Sequence, residues 1–346
     1  MTDKAPGQMN IDKIIKDILD SIDREREREI ISRRFGLYDR KETLEQIGEL
    51  LGITRERVRQ LEKAILTKLR TQAEQGKLAH INELEDKLVS KITELGNVAR
   101  ITNLTAKIVE KPGKTDTSKV TFLASLCPKL VVIDENDYFY LSVGIKSAND
   151  EKAIKSNVAK VIDAIKQIAK PASIEEIAEK AGIKNAKNAQ ALATTSKKLA
   201  TLNDRWGLVK WPLVNPKNIR DKIYVILSEK GEHMHFNEIS EAIKDSEFKR
   251  KDVTTQAIHN ELIKDKRFVL IGRGIYALKE WGYSKGTVAD VITDVLKKAG
   301  KPLHREEIVK EVLKSRYVKE TTILLNLQGK SQFKRTAKAT YTLAEA

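Results

Sequence analysis

The chain has 346 residues and a formal net charge of +15. This length suggests about two to five domains, and the basic excess favours a polyanionic partner, of which nucleic acid is the commonest. With 5% aromatic residues, base-stacking platforms are not expected. The single cysteine, Cys127, excludes an internal disulfide and a cysteine-based zinc site. No apolar run approaches about 18 residues, so we expect a cytoplasmic protein that does not span a membrane.

The first elements are helical. Residues 1–8 form a polar leader that we expect to be disordered. From Met9 isoleucine and leucine recur at helical spacing, and a second, arginine-rich helix ends at Gly36, which is suited to a helix C-cap. Ten of the nineteen arginines lie between residues 24 and 70. Arginine is favoured where bidentate contacts to phosphate or guanine are needed.

Two further helices follow, separated by a tight turn at Gly52. Thr43 begins a capping box with Gln46, and Thr54 caps the next helix. The buried positions of both helices recur at helical spacing: Leu44, Ile47, Leu51, Val58, Leu61, Ile65 and Leu69. The opposite face of the second helix is polar, and we predict that it contacts a partner. Its residues are Arg55, Glu56, Arg59, Gln60 and Lys63. We therefore predict a helix-turn-helix.

This stretch resembles region 4 of bacterial primary-type sigma factors. The motifs that carry the resemblance are RRFGL, TLEQIG and ITRERVRQLE, within residues of about 10–72. The resemblance implies that the second helix reads a promoter −35 element in duplex DNA, and that the outer surface of the helices contacts the β flap of core RNA polymerase. It implies base contacts from Arg55, Glu56 and Gln60. It also implies contacts to the DNA backbone from Thr54, Arg57, Arg59, Lys63, Arg34 and Thr43.

The chemistry of these residues agrees with the resemblance. Arginine can bond both acceptors of guanine, glutamate can accept from cytosine, and glutamine can pair with adenine. The alternative is that the arginines form ion pairs on the helix surface with Glu56 and Glu62. Ala64 and Thr67 stand where the family is usually basic. No aromatic-rich segment resembles the strand-opening region of the family, so we do not expect the chain alone to melt a promoter.

Residues 71–77 are polar, and we predict that they form a linker. The sequence that follows this segment contains internal repeats. GEHMHFNEIS at 231–240 matches GKPLHREEIV at 300–309, and AKPASIEEIA at 169–178 aligns with both. Each block follows an amphipathic helix and precedes a hairpin-like ending, which is the winged-helix plan. An earlier unit, 81–143, is a weaker copy.

The last two copies resemble the HARE-HTH family, which occurs in the delta subunit of some bacterial RNA polymerases. The final copy has Thr336-Ala337-Lys338 in place of Gly272-Arg273-Gly274, so we expect a wing of altered length or turn. The predicted fold is mainly α with small β-wings, a multidomain array of helix-turn-helix and winged-helix domains. Its predicted domains are 1–73 (sigma region 4-like), 77–146 (degenerate winged helix), 152–214 (winged helix), and 215–282 and 284–346 (both HARE-HTH-like).

Other motifs in the chain do not predict enzyme chemistry. Gly272 to Ala277 satisfies GxGxxA, but β-type residues on both sides favour a wing hairpin over a dinucleotide site. His233 and His235 lack the further ligands of a metal site, and the match of His235 with His304 favours a structural role. We therefore predict no catalytic residues, no metal, no cofactor and no small-molecule substrate.

The predicted function is that of a non-enzymatic bacterial transcription protein. It binds −35-like duplex DNA, contacts RNA polymerase and is associated with the nucleoid. One alternative is a nucleoid-architectural protein without polymerase contact. A second is an adaptor whose winged helices bind proteins while only the first domain touches DNA.

Overall fold

The computed structural model describes residues 10–78, 80–148, 150–248, 252–283 and 285–344. The predicted leader, 1–8, lies outside the described residues. The described chain is mainly helical with small antiparallel sheets, as the sequence predicted. Its internal contacts divide it into two compact units, Met1–Val209 and Lys210–Ala346. The finer division into five domains stays a prediction.

Four helices begin the first unit, and several of their ends lie at predicted cap or turn residues. They are α1 (Ile11–Asp20), α2 (Glu25–Phe35), α3 (Leu44–Leu51) and α4 (Arg55–Glu74). Gly36 and Gly52 adopt the left-handed conformation at the C-caps of α2 and α3, where glycine has no steric penalty. At Gly36 the turn also leaves no room for a side chain, because a Cβ would lie 2.7 Å from the backbone nitrogen of Lys41.

The predicted linker at 71–77 is partly wrong, because α4 continues to Glu74. The helix continues because its last turns are apolar on one side and pack into a core. Leu69 and Ala73 are buried together with Leu84 and Phe122, which lie in the following part of the chain. One hydrophobic cluster therefore joins the region 4-like helices to the segment that follows them in the chain.

The rest of the first unit contains two copies of one plan. The first copy comprises α5 (Ile81–Leu95), β1 (Val98–Arg100), α6 (Ile101–Ile108), α7 (Asp116–Leu126), β2 (Leu130–Ile133) and β3 (Ser142–Ile145). The second comprises α8 (Glu151–Ile168), α9 (Ile174–Ala181), α10 (Ala186–Thr195), β4 (Leu199–Leu202) and β5 (Arg205–Leu208). The first copy has a sheet of order β1-β3-β2. In the second, an isolated bridge from Ala172 to Trp206 stands where the first strand would be.

The second unit repeats this plan twice more. One copy comprises α11 (Ile219–Lys230), β6 (Met234–His235), α12 (Phe236–Asp245), α13 (Thr255–Lys264), β7 (Phe268–Gly272) and β8 (Ile275–Leu278). The other comprises α14 (Val288–Ala299), β9 (Leu303–His304), α15 (Arg305–Ser315), α16 (Glu320–Gly329), β10 (Phe333–Ala337) and β11 (Thr340–Leu343). Their sheets have the equivalent orders β6-β8-β7 and β9-β11-β10. Every copy therefore ends in an antiparallel hairpin.

The last two hairpins turn in the same way, so the expectation of an altered final wing is wrong. Each contains a register shift, between Leu270 and Gly272 in one and between Arg335 and Ala337 in the other. Gly274 and Ala339 both have positive φ angles, of 72° and 57°. The final copy reaches the same turn with alanine in the left-handed region, at some steric cost.

Residues of the final copy donate hydrogen bonds to the edge of strand β7. Arg316 Nη1 donates to the carbonyl of Leu270 at 2.8 Å, and the backbone N–H of Tyr317 donates to the carbonyl of Ile271 at 3.2 Å. The ring of Tyr317 lies 4.5 Å from that of His233. These contacts satisfy hydrogen-bonding groups of an edge strand, which would otherwise remain unpaired.

Candidate nucleic-acid interface

Helix α4 is positioned by a cap and by a small core. The hydroxyl of Thr54 accepts from the backbone N–H of Arg57 at 3.2 Å, which satisfies one free donor at the helix start. Val58, in the first turn and a half, is fully buried with Ile30 of α2 and Ile47 of α3. This core fixes which face of α4 is turned outward.

A second cap aligns the helix that precedes α4. The Thr43 hydroxyl accepts from the Gln46 N–H at 3.2 Å, and the Gln46 side chain accepts from the Thr43 N–H at 2.9 Å. The turn between α3 and α4 also requires a small residue at Gly48, because a Cβ there would lie 2.7 Å from the carbonyl oxygen of Ile53. The predicted capping box and Thr54 cap are both confirmed.

The outward face of α4 collects the side chains that the sequence singled out. Its exposed residues include the three predicted base readers and three of the predicted backbone contacts: Arg55, Glu56, Gln60, Arg57, Arg59 and Lys63. The predicted face is thus formed as one continuous surface at the start of the helix. The roles of these residues toward DNA stay predictions.

Polar contacts link these side chains into a network. The Glu56 carboxylate accepts from Arg59 at 2.6 and 2.8 Å and from the Gln60 amide at 3.3 Å. The Arg57 guanidinium donates to the Gln60 side-chain oxygen at 3.4 Å. Exposed ion pairs of this kind contribute about 0–1 kcal/mol, so their side chains can exchange partners at little cost.

The electrostatic effect of the network is concentrated on Glu56. The hydrogen bonds from Arg59 lower the pKa of the Glu56 carboxyl, and the same pair raises the pKa of Arg59. Glu56 is therefore held ionised, which is the form that can accept a hydrogen bond from a cytosine amino group.

Glu45 also belongs to this site, although the sequence analysis did not identify it. Its carboxylate lies 2.6 Å from Nη1 of Arg55, with both side chains at least half exposed. Glu45 is in α3 and Arg55 begins α4, so their proximity depends on the angle of the turn between them. No periodicity within either helix could have identified this pair.

Arg34 and Thr43 differ from the other predicted backbone contacts. Nε of Arg34 lies 3.2 Å from a carboxylate oxygen of Glu62, and this pair is mostly buried. The Thr43 hydroxyl is engaged in the cap described above. Both residues have structural tasks, Arg34 between α2 and α4 and Thr43 at the start of α3. Of the surface ion pairs considered as an alternative, the pair of Arg59 with Glu56 is present, whereas Glu62 pairs with the less exposed Arg34.

The predicted structural role of the repeated histidines is confirmed. Nδ1 of His235 accepts from the N–H of Asn237 at 3.3 Å, and Nδ1 of His304 accepts from the N–H of Glu306 at 3.4 Å. Each histidine is the N-cap of the helix that follows it. Gly272 and Gly274 lie at the turn between β7 and β8, as the wing interpretation of GxGxxA predicted.

Neither a metal-binding cluster nor a membrane-spanning helix occurs in the described part of the chain. No cluster of three or more histidine, cysteine, aspartate or glutamate side chains is arranged there to hold a metal ion. Across the same residues, none of the helices combines the length and apolar character needed to cross a bilayer.

Comparison with known proteins places the similarity on the same helices. The family model for sigma-70, region 4, matches residues 24–71. The RNA polymerase sigma factor SigA of a Bacillus species is 49% identical over 57 residues, which are 16% of this chain and 15% of the relative. The chain thus spans a small part of the relative that it matches. Residues 24–71, which contain α2, α3 and all but the last three residues of α4, are therefore similar to sigma-70 region 4.

Proposed function

We propose that the chain is a non-enzymatic transcription protein that reads −35-like duplex DNA through α4. The observation that carries this proposal is the exposed polar face at the capped start of α4, within the segment that is similar to sigma-70 region 4. An α-helix fits the major groove of B-DNA, where each base pair presents a distinct pattern of donors and acceptors. The net charge of +15 supports a polyanionic partner.

The proposed roles follow from the chemistry of each side chain. Arg55 bonds the two acceptors of a guanine, Glu56 accepts from cytosine, and Gln60 pairs with adenine. The remaining contacts fix the register on phosphates and carry no sequence information. They come from Thr54, Arg57, Arg59 and Lys63, and from Arg34 and Thr43 in addition to their structural hydrogen bonds. On DNA binding, Arg55 exchanges the Glu45 carboxylate for a guanine.

The test is selection of bound fragments from random duplex DNA, followed by affinity measurements with Gln60→Ala and Arg57→Ala. Gln60→Ala should weaken binding to the selected site by about 1–3 kcal/mol and reduce the preference at one base pair. Arg57→Ala should weaken selected and random duplexes alike. If Gln60→Ala weakens both duplexes equally, the proposed base readout is wrong.

A contact with RNA polymerase is the second part of the proposal. It is supported by the similarity to a protein named as an RNA polymerase sigma factor. In this chain, however, α7 packs against α1, α2 and α4. Phe122 of α7 is fully buried, and its ring lies 5.0 Å from that of Phe35. A polymerase flap that used the outer surface of these helices would therefore meet a face that α7 partly covers.

Retention of polymerase core enzyme on the immobilised chain tests this part. Retention at moderate salt supports the proposal, and a variant with charge reversals on exposed positions of α1 to α4 would then locate the surface. If core enzyme is not retained while duplex DNA still binds, the nucleoid-architectural alternative is correct. If Arg55→Ala and Arg57→Ala together abolish all DNA binding by the full-length chain while it still retains proteins, the adaptor alternative is correct.

A further inference from the structure

We infer that the final hairpin, β10–β11, binds the phosphate backbone of duplex DNA and provides a second contact that is independent of α4. The positive side chains that carry this inference are Lys334, Arg335 and Lys338. All three are exposed. From residue 321 to residue 344 the sequence contains no aspartate or glutamate.

The other hairpins do not share this charge. The connection between β2 and β3 contains Asp134, Glu135 and Asp137, and the β4–β5 turn contains Asp204. The β7–β8 turn has one cation, Arg273, between two glycines. Among the hairpins in the described ranges, the final one alone combines several cations with no acidic residue. Its charge is therefore a property of this copy and not of the repeated plan.

The cations of the final hairpin are also not engaged in ion pairs within the described part of the chain. Across residues 285–344 and the other described ranges, none of the three forms a salt bridge. Nε of Arg335 donates to the carbonyl of Ala337 at 3.1 Å, which directs the guanidinium toward the turn and leaves its other N–H groups unused. The neighbouring hairpin differs, because contacts from Arg316 and Tyr317 occupy the edge of its β7 strand.

The helix that precedes the hairpin is poorly suited to the same task. Apart from Glu320 at its start, the exposed residues of α16 are uncharged: Thr321, Thr322, Leu325, Gln328 and Gly329. Leu325 is 67% exposed. Thr321, Thr322 and Gln328 can donate hydrogen bonds but carry no charge, so they release no counterions from DNA. The hairpin, and not α16, therefore supplies the cations of the phosphate-binding surface of this copy.

A partner that is recognised through phosphates alone is bound without sequence preference. The final hairpin should therefore extend the protected length of DNA without adding base specificity. Its effect on affinity should appear in the salt dependence, because each neutralised phosphate contributes a slope of about 0.9 to the fall of log K with log salt.

The test compares two full-length variants on a long duplex of random sequence over a series of salt concentrations. The wing variant carries Lys334→Gln, Arg335→Gln and Lys338→Gln. The control carries Lys297→Gln, Lys298→Gln and Lys301→Gln, which removes the same charge from exposed positions of the same copy. Lys298 and Lys301 line a groove with Asp294, Glu307 and Glu311, so this surface is of mixed charge.

We expect the wing variant to lower the slope by about 2–3 and the control to lower it by less than about 1. Equal losses in the two variants, or no loss in the wing variant, would overturn the inference. Lys338→Gln alone changes only the turn and should lower the slope by about 0.9, whereas the single control Lys298→Gln should leave the slope unchanged. This pair of single variants replaces the triple variants if the wing variant is unstable. Base preference at the selected site should be unchanged, which separates this test from that of α4.

Discussion

The carboxylate of Glu56 accepts two hydrogen bonds from the guanidinium of Arg59, at 2.6 and 2.8 Å, one turn further along α4. The pair joins a proposed base reader to a proposed backbone contact. Because the hydrogen bonds favour the ionised carboxylate, the pKa of Glu56 is lowered. The interaction is fully present above the ordinary pKa of glutamate and is lost as the pH falls through the lowered value.

Arg59→Ala should therefore raise the pKa of Glu56 toward its ordinary value. NMR titration of the Glu56 side chain in the free protein measures this change. Arg57→Ala is the matched control, because Arg57 contacts Gln60 and not the carboxylate. A Glu56 pKa that does not change in Arg59→Ala would show that the ion pair does not persist in solution.

Glu45→Gln should tighten DNA binding. The substitution removes a negative charge beside the proposed DNA-binding face of α4. It also frees Arg55, whose Nη1 atom lies 2.6 Å from the Glu45 carboxylate. Since an exposed ion pair is worth about 0–1 kcal/mol, we expect an increase in affinity of up to about fivefold, measured by fluorescence anisotropy at fixed salt. Glu83→Gln removes an equivalent exposed partner, of Lys87 in α5, and should leave affinity nearly unchanged. A similar gain in both variants would indicate a general charge effect.

Phe122→Ala should destabilise the region 4-like helices, although it lies outside them. The side chain is fully buried and contacts Phe35 at the end of α2, and removal of a buried phenylalanine side chain costs about 3–5 kcal/mol. Hydrogen exchange should become faster in α1, α2 and the second half of α4. Phe122→Leu retains most of the apolar volume and should show a smaller effect. Protection of α1 and α2 that is unchanged in Phe122→Ala would mean that these helices fold without α7.

Cys127 should not react with thiol reagents in the folded protein. It is buried, and this burial raises the pKa of its thiol to about 12. The thiolate is the nucleophile, so neither access nor ionisation favours reaction near neutral pH. Labelling by a chromogenic disulfide reagent should be slow in buffer and rapid in denaturant. Rapid labelling in buffer would contradict the burial of Cys127.

Much of the fold was predictable because its signals are local. The caps at Thr43, Thr54 and Gly36 depend on side chains and backbone within a few residues, and all three occur as predicted. The repeated histidine pointed to a structural role, and His235 and His304 are helix N-caps. The exposed face of α4 likewise followed from helical spacing alone.

The sequence by itself determined the helical class, the capped helices and the polar face of α4, because caps and periodicity act over one or two turns. Only the tertiary structure decided which groups from different elements meet. It brought Glu45 to Arg55, extended α4 to Glu74, and packed Phe122 against Phe35. These outcomes depend on buried contacts between segments distant in the chain. Spacing within one helix carries no information about such contacts.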